Sequence, residues 1–337
     1  MPRLRRVDCS GPGLRRVRRG RGFSYQDADG SAVADRDVLE RVRALAIPPA
    51  WEDVWICPHP RGHIQATGTD AAGRKQYRYH DAWRERQDQL KFDRMLDFAR
   101  RLPALRERLD ADLERRGLVR ERVLACAVRL LDLGFFRIGS ERYAEENETY
   151  GLASLRKRHL RFEHGEAVFD FRAKRGRRHV QSIADPSVLP TLRSLKRRSG
   201  GGNALLAHHD GRRWVDVSSE EINAYLDEAA GEEFTAKDFR TWNATVLAAV
   251  ALARREGELT SRASRRRAVN AAVEEVAEYL GNTPAVCRSA YIDPRVIDHF
   301  DSGETIRSAL ERATRRAVGD EFADRERIER AVVALIE

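Results

Sequence analysis

Between residues 23 and 80, apolar and polar positions alternate over short stretches separated by turn residues; from residue 81 the recurrence lengthens to that of helices. Strands are predicted at 23–25, 54–57, 62–67 and 75–79, with turns at 27–30 and 72–73, and a charged helix over 35–45 interrupts them. This pattern predicts a small antiparallel β domain. Helices follow at 81–101, 102–116 and 119–133, the last carrying Val123, Leu124, Ala127, Leu130 and Leu131 on one stripe. Alternation returns only at 159–163, 167–172 and 179–183, with turns at His164-Gly165 and Arg175-Gly176, so Lys174 lies at the second turn. Helices resume at 219–230, 235–255 and 264–280, where Gly281 stops the run. Asn282 is a natural cap for a short helix over 283–291, with Pro284 at an early position, and a helical pair at 304–318 and 321–336 ends the chain. There is no internal repeat. The expected class is α+β: a small N-terminal antiparallel sheet, then a larger, mainly helical domain containing a hairpin or three-stranded sheet.

Composition adds limits. The chain has 337 residues, 42% hydrophobic and 34% charged, enough for two domains and polar enough to be soluble. No stretch approaches the roughly 18 apolar residues of a membrane span, and the N-terminus is a run of arginines without an apolar core. A cytoplasmic protein without a secretory signal is expected. Cys9, Cys57, Cys126 and Cys287 are far apart and form no CxxC pair, so free thiols are expected rather than a zinc site or disulfides.

The net charge of +9 favours an anionic partner. Eight arginines against Asp8 give residues 1–22 a balance of +7, so little net charge is left for the rest. The segment reads as a basic arm, either a flexible DNA-tracking tail or a solvated end. The expected domains are therefore the arm at 1–22, a β-rich domain at 23–90 and a helical domain at 91–337. A second basic concentration lies between Arg156 and Arg178. Arginine outnumbers lysine 56 to 6, which draws attention to Lys174 and Lys237. An ammonium can be tuned to give up a proton near neutral pH, whereas a guanidinium stays charged.

Phosphodiester transfer needs compensation for charge growing on phosphoryl oxygens, from metal ions or paired guanidinia. The chain has no Walker loop, no HExxH and no acidic pair at convincing metal spacing, which leaves arginine as the clamp. Arg137 follows an apolar helix and needs an anion there, either a phosphate or a salt bridge to Glu145 or Glu146. Arg240 opens another apolar helix and is equally open to a structural role. Tyr291 reads as core packing or as a nucleophile; with an ordinary pKa of roughly 10, a phenol attacks only with help from nearby cations or proton loss in the transition state.

Arg137 with Glu146-Asn-Glu-Thr-Tyr-Gly-Leu152 behind it, Lys174 in a hairpin turn, Lys237-Asp-Phe-Arg240-Thr, Asn282 and Tyr291 together resemble the type IB DNA topoisomerases. The likeness is greatest to their compact poxvirus and bacterial branch. It extends from Ile47-Pro-Pro-Ala-Trp51 through Gly73-Arg-Lys-Gln-Tyr-Arg-Tyr79 to Ile292-Asp-Pro294. The resemblance implies that Tyr291 attacks a DNA phosphodiester to form a 3′-phosphotyrosyl link, that the duplex swivels, and that the freed 5′-hydroxyl attacks back. Arg137 and Arg240 would hold the nonbridging oxygens and Lys174 would protonate the 5′ oxygen. Where the family often carries histidine, this chain has Asn282, which can donate a hydrogen bond to phosphate but cannot titrate.

The same resemblance implies double-stranded DNA as partner, no ATP or metal cofactor, and a monomer on DNA, associated with the nucleoid. On that analogy Lys75, Gln76, Tyr77 and Tyr79 line the DNA side of the first domain, and Arg142, Tyr143 and Lys237 flank the active site. Strand residues and aromatics there are also open to ordinary sheet packing. Two rivals stand. A tyrosine recombinase shares the fold and the Arg, Lys, Arg, Tyr set, but usually has histidine where Lys237 stands and lacks such a β domain. A noncatalytic DNA-binding protein would use the same residues for affinity alone.

Overall fold

Alternating apolar positions build a five-stranded antiparallel sheet, ordered β2-β1-β3-β4-β5, from β1 (Leu14–Arg19), β2 (Gly22–Gln26), β3 (Glu52–Ile56), β4 (Ile64–Thr69) and β5 (Lys75–Tyr79). The computed structural model describes residues 3–134, 136–139, 148–231, 234–256, 261–316 and 321–337, without the side chains of residues 175, 314–316 and 321–323. It divides into two units, Met1–Phe92 and Asp93–Glu337.

In the first unit Leu14, Val54, Ile56 and Ala66 of the sheet pack with Val42 of helix α1 (Arg36–Ala44). Asp35 caps that helix by accepting from the backbone N–H groups of Asp37 and Val38. The expectation of a basic arm over 1–22 is corrected: residues 14–19 are an interior strand, paired with both β2 and β3. Charge concealed the strand, in which Arg16 has a structural role. Arg16 donates to the carbonyls of Ile47, Pro48 and Trp51 at 3.2, 3.0 and 2.6 Å and lies over the Phe23 ring at 4.2 Å. Long arginine stems cover apolar surface while their heads satisfy loop carbonyls.

The second unit is mainly helical. Helix α2 (Asp81–Leu113) runs unbroken through Pro103, where the sequence predicts two helices meeting at residues 101–102. Buried Leu102, Leu105, Leu109 and Leu113 continue one apolar stripe past the proline, and their burial outweighs the single lost backbone bond. Next come α3 (Arg120–Gly134) and the antiparallel sheet β6-β7-β8, from β6 (Leu160–Glu163), β7 (Glu166–Arg172) and β8 (Arg178–Ile183), then α4 (Leu189–Arg197). A short hairpin, β9 (Ala207–His209) with β10 (Trp214–Asp216), separates α4 from α5 (Ser219–Ala230). Neither α4 nor this hairpin is foreseen by periodicity; three-residue strands are too short to show one. The remaining helices are α6 (Ala236–Arg255), α7 (Arg262–Leu280), α8 (Pro284–Ala290), α9 (Pro294–Ser302), α10 (Arg307–Arg316) and α11 (Glu321–Ile336). The four cysteines are free. Among the described residues no helix is long and apolar enough to cross a membrane.

A buried ionic network joins α2, α3 and α11. Arg106 forks onto Asp132 at 2.9 and 3.0 Å and onto Glu329 at 2.7 and 2.9 Å, and Arg325 adds bonds to Asp132 at 2.7 Å and Glu329 at 3.0 Å. Burial pushes the Asp132 carboxyl up, but Arg325 and Arg106 pull it down further, to about 2. A carboxyl with a lowered folded-state pKa stabilises above its unfolded value, and that contribution disappears as pH falls through the folded value. Replacing Asp132 with Ala leaves two buried cations short of a partner and is expected to cost about 3–5 kcal/mol at pH 7, read by denaturant unfolding. The gap between wild type and variant should close as pH falls from about 4 through about 2; a gap independent of acid would contradict the charged network.

Candidate active site

Arg137 leaves the end of α3 in an irregular segment whose backbone is fixed by two hydrogen bonds, from Leu152 N–H to the Arg137 carbonyl and from Ala153 N–H to the Ile138 carbonyl, both 2.8 Å. This close approach requires glycine on both sides: a Cβ on Gly139, which also has φ +72°, would meet the Gly151 Cα at 2.6 Å. The half-buried Arg137 guanidinium donates to Asn282 Oδ1 at 2.5 Å. Arg240, in the second turn of α6, is 5% exposed and donates to the Leu280 carbonyl at the end of α7, 2.9 Å away.

Tyr291 stands directly after α8, its N–H bonded to the Cys287 carbonyl at 3.0 Å. Its own carbonyl accepts from the Thr245 hydroxyl at 3.3 Å, and Thr245 in turn accepts from Asp293 N–H at 3.1 Å, so α6 holds the backbone on both sides of the tyrosine. The Arg240 guanidinium carbon lies 5.4 Å from the centroid of the Tyr291 ring. Lys174 is exposed in a single 3-10 turn, Lys174–Gly176, between β7 and β8, and Lys237 is exposed in the first turn of α6.

These residues line one cleft. Arg137, Lys174, Lys237, Arg240 and Tyr291 bound a space of about 370 Å³ with Ile138, Gly139, Thr149, Tyr150, Gly151 and Ala236. No carboxylate is among them. An adjoining cleft of about 230 Å³ shares Arg137, Lys174, Arg240 and Tyr150 and adds Asn282 and His179. Burial, followed by repulsion from Arg137, draws the Arg240 pKa down to about 10. Burial alone would raise the Tyr291 phenol, but the charges of Arg240 and Arg137, the Arg240 hydrogen bond and Lys237 together bring it below its ordinary value. Among the described residues the cleft therefore concentrates positive charge around a half-buried tyrosine, a setting for a phosphate.

Asn282 is not a helix cap. Thr283 takes that position and accepts from Val286 N–H, while Asn282 turns its carbonyl oxygen to Arg137. Lys75, Gln76, Tyr77 and Tyr79 lie on β5 in the first unit and are not among the residues that line this cleft. Tyr77 and Tyr79 are stacked at 5.9 Å and are 42% and 40% exposed, Lys75 Nζ is 5.7 Å from the Tyr77 centroid, and Gln76 is tied to Asp70 at 2.9 Å. Arg142 and Tyr143, with Glu145 and Glu146, lie outside the described residues.

Thr149, Tyr150, His179 and Thr245 are the residues that sequence reasoning missed here. His179 donates to or accepts from Gln181 at 3.1 Å and pairs across the sheet with Phe171; burial, then Arg240 and Arg137, lower its pKa against the opposing effect of Gln181. Strand alternation, placing residues 179 and 181 on one face, was the available signal.

Comparison with known proteins agrees with this geometry. A family described as eukaryotic DNA topoisomerase I, catalytic core, matches residues 80–316, and one described as bacterial DNA topoisomerase IB, N-terminal domain, matches residues 22–70. DNA topoisomerase 1B of Acanthamoeba polyphaga mimivirus is 31% identical over 83% of this chain and 85% of its own. DNA topoisomerase 1 of rabbit fibroma virus is 22% identical over 83% of this chain and 90% of its own. DNA topoisomerase 1 of Candidozyma auris is 29% identical, over 52% of this chain and 23% of its own.

Because Arg240 supplies the largest opposing charge to burial, Arg240→Ala is expected to raise the Tyr291 phenol toward and above its ordinary value of roughly 10. Difference ultraviolet titration of Arg240→Ala against Arg240→Ala/Tyr291→Phe, compared with the same pair in wild-type background, isolates this one phenol. An unmoved titration would rule out the coupling.

Proposed function

Since the chain belongs to the type IB DNA topoisomerases, we propose that it relaxes supercoiled DNA by opening one strand through a covalent 3′-phosphotyrosyl link on Tyr291, with neither ATP nor a metal ion consumed or required. The carrying observation is the cleft that Arg137, Lys174, Lys237 and Arg240 line together with that tyrosine. In cleavage the Tyr291 oxygen loses its proton and bonds to phosphorus as the bond to the 5′ oxygen breaks. Lys174 Nζ gives a proton to the departing 5′ oxygen, for which an exposed position on a hairpin turn beside the cleft is suitable. Resealing is the reverse: the 5′-hydroxyl attacks, and the phenolate leaves. Bond energy is conserved in the phosphotyrosine throughout.

Arg137 and Arg240 take the nonbridging oxygens. Arg240 is already buried and both guanidinia are held by neutral acceptors, so little reorganisation is needed when charge accumulates on phosphate. Asn282 orients Arg137 through its carbonyl oxygen, which leaves its amide nitrogen to donate to a phosphate oxygen. Lys237 and, in the first unit, Lys75, Gln76, Tyr77 and Tyr79 contact the duplex. The protein works as a monomer on double-stranded DNA in the cytoplasm, at the nucleoid.

Supercoiled plasmid incubated with the protein in EDTA and without ATP is expected to relax. Tyr291→Phe should abolish relaxation while DNA binding by gel shift persists, which separates strand transfer from simple binding. Normal relaxation by the Phe variant would remove Tyr291 from the reaction. Lys174→Ala is expected to slow single-turnover cleavage by about 10²–10⁴, and far less when the 5′ leaving atom is a bridging sulfur, which departs without a proton. Equal slowing on both substrates would end the general-acid assignment.

A further inference from the structure

Arg240 lies on α6 and Arg137 just beyond the end of α3, and a small set of side chains ties those two helices together just outside the cleft. Asp132 lies in the last turn of α3, where backbone carbonyls have no partner within the helix. Its carbonyl is bonded instead by Asn243 Nδ2 and by Arg325 Nη2, both at 2.9 Å. Arg325 also donates to Asn243 Oδ1 at 3.3 Å and to the Asp132 carboxylate at 2.7 Å. Asn243 is 6% exposed, and both ends of its amide are used.

Its place in the chain gives this bond a consequence. Asn243 is three residues after Arg240, on the same helix α6, and Asp132 is five residues before Arg137, at the point where α3 ends. A displacement of α6 against α3 would therefore change the separation of the two guanidinia directly. We propose that Asn243 is a positioning residue for phosphodiester cleavage: by capping α3 from α6, under the hold of Arg325 from α11, it sets the spacing of Arg137 and Arg240 across the phosphate. Apolar packing between the helices resists separation but permits sliding; a donor aimed at one carbonyl fixes the register.

The inference rests on the assignment of Arg137 and Arg240 to the nonbridging oxygens, and its test is chosen to separate the two. A methylphosphonate at the cleaved linkage is neutral, so it no longer needs two guanidinia. A defect that acts through them shrinks on this substrate, whereas a general loss of fold slows both substrates alike. Asn243→Ala is expected to slow single-turnover cleavage of the phosphodiester by about tenfold to hundredfold, with DNA affinity unchanged, and that of the methylphosphonate by less than about threefold. Asn243→Asp, which keeps the shape and can still accept from Arg325 but lacks the donor to Asp132, should behave in the same way. Arg137→Ala on the same two substrates checks the clamp itself: a defect undiminished on methylphosphonate would reject that assignment, whatever Asn243 does. If the Arg137 defect diminishes but the Asn243 variants slow both substrates equally, or neither, the positioning role is overturned. Loss of the folded state in both Asn243 variants, seen by thermal melting, would assign the residue to stability and overturn it as well.

Discussion

Positive charge gathered at one buried place is the constraint on which the structure of the second unit turns. Burial, followed by repulsion from Arg137, draws the Arg240 pKa down to about 10, and among the described residues no carboxylate lines the cleft that both share with Tyr291. Their donors are instead met by neutral oxygens, the Asn282 amide and the Leu280 carbonyl. Neutral acceptors satisfy hydrogen-bonding demand without cancelling charge, so the cost of an unmet donor is avoided while the field remains for a phosphate. Arg106 and Arg325 meet the opposite fate in the same unit, forked onto Asp132 and Glu329. The residue type is shared; the neighbours decide whether it serves the scaffold or the cleft.

Rigidity is distributed to suit these roles. The Tyr291 backbone is held through Thr245 on α6, the same helix that carries Arg240 and Asn243, so phenol and guanidinium are parts of one element's surroundings. Arg137 is fixed through its backbone by the pairing with residues 152 and 153. Lys174, by contrast, projects from a short exposed turn closed by Gly176 at φ +71°. For the proton-donor role proposed for Lys174, a solvent-facing position is better suited than burial, which disfavours a charged form.

Arginine abundance misled the sequence reading at the N-terminus and served it at the cleft. Eight arginines in 22 residues present as a disordered charge run, yet Arg16 is embedded among three carbonyls and an aromatic ring, and its strand lies inside a sheet. Six lysines among 337 residues, on the other hand, marked Lys174 and Lys237 in advance, and both line the cleft. Scarcity carried information that abundance did not.

The chain by itself determined the α+β class, the hairpin carrying Lys174 and the long helices with their apolar stripes, while the set Arg137, Lys174, Arg240, Tyr291 was marked only by the resemblance to a known family. Period, turn residues and residue chemistry are local, and each of those features is expressed within a few turns or strands of sequence. Only the tertiary structure decided that α2 continues through Pro103, that residues 14–19 are a strand, that Thr283 caps α8 in place of Asn282, and that Asn282 faces Arg137. The Asn243 tie was equally invisible. Asn282 and Asn243 take partners more than a hundred residues away, and burial against those partners, rather than local preference, sets the outcome.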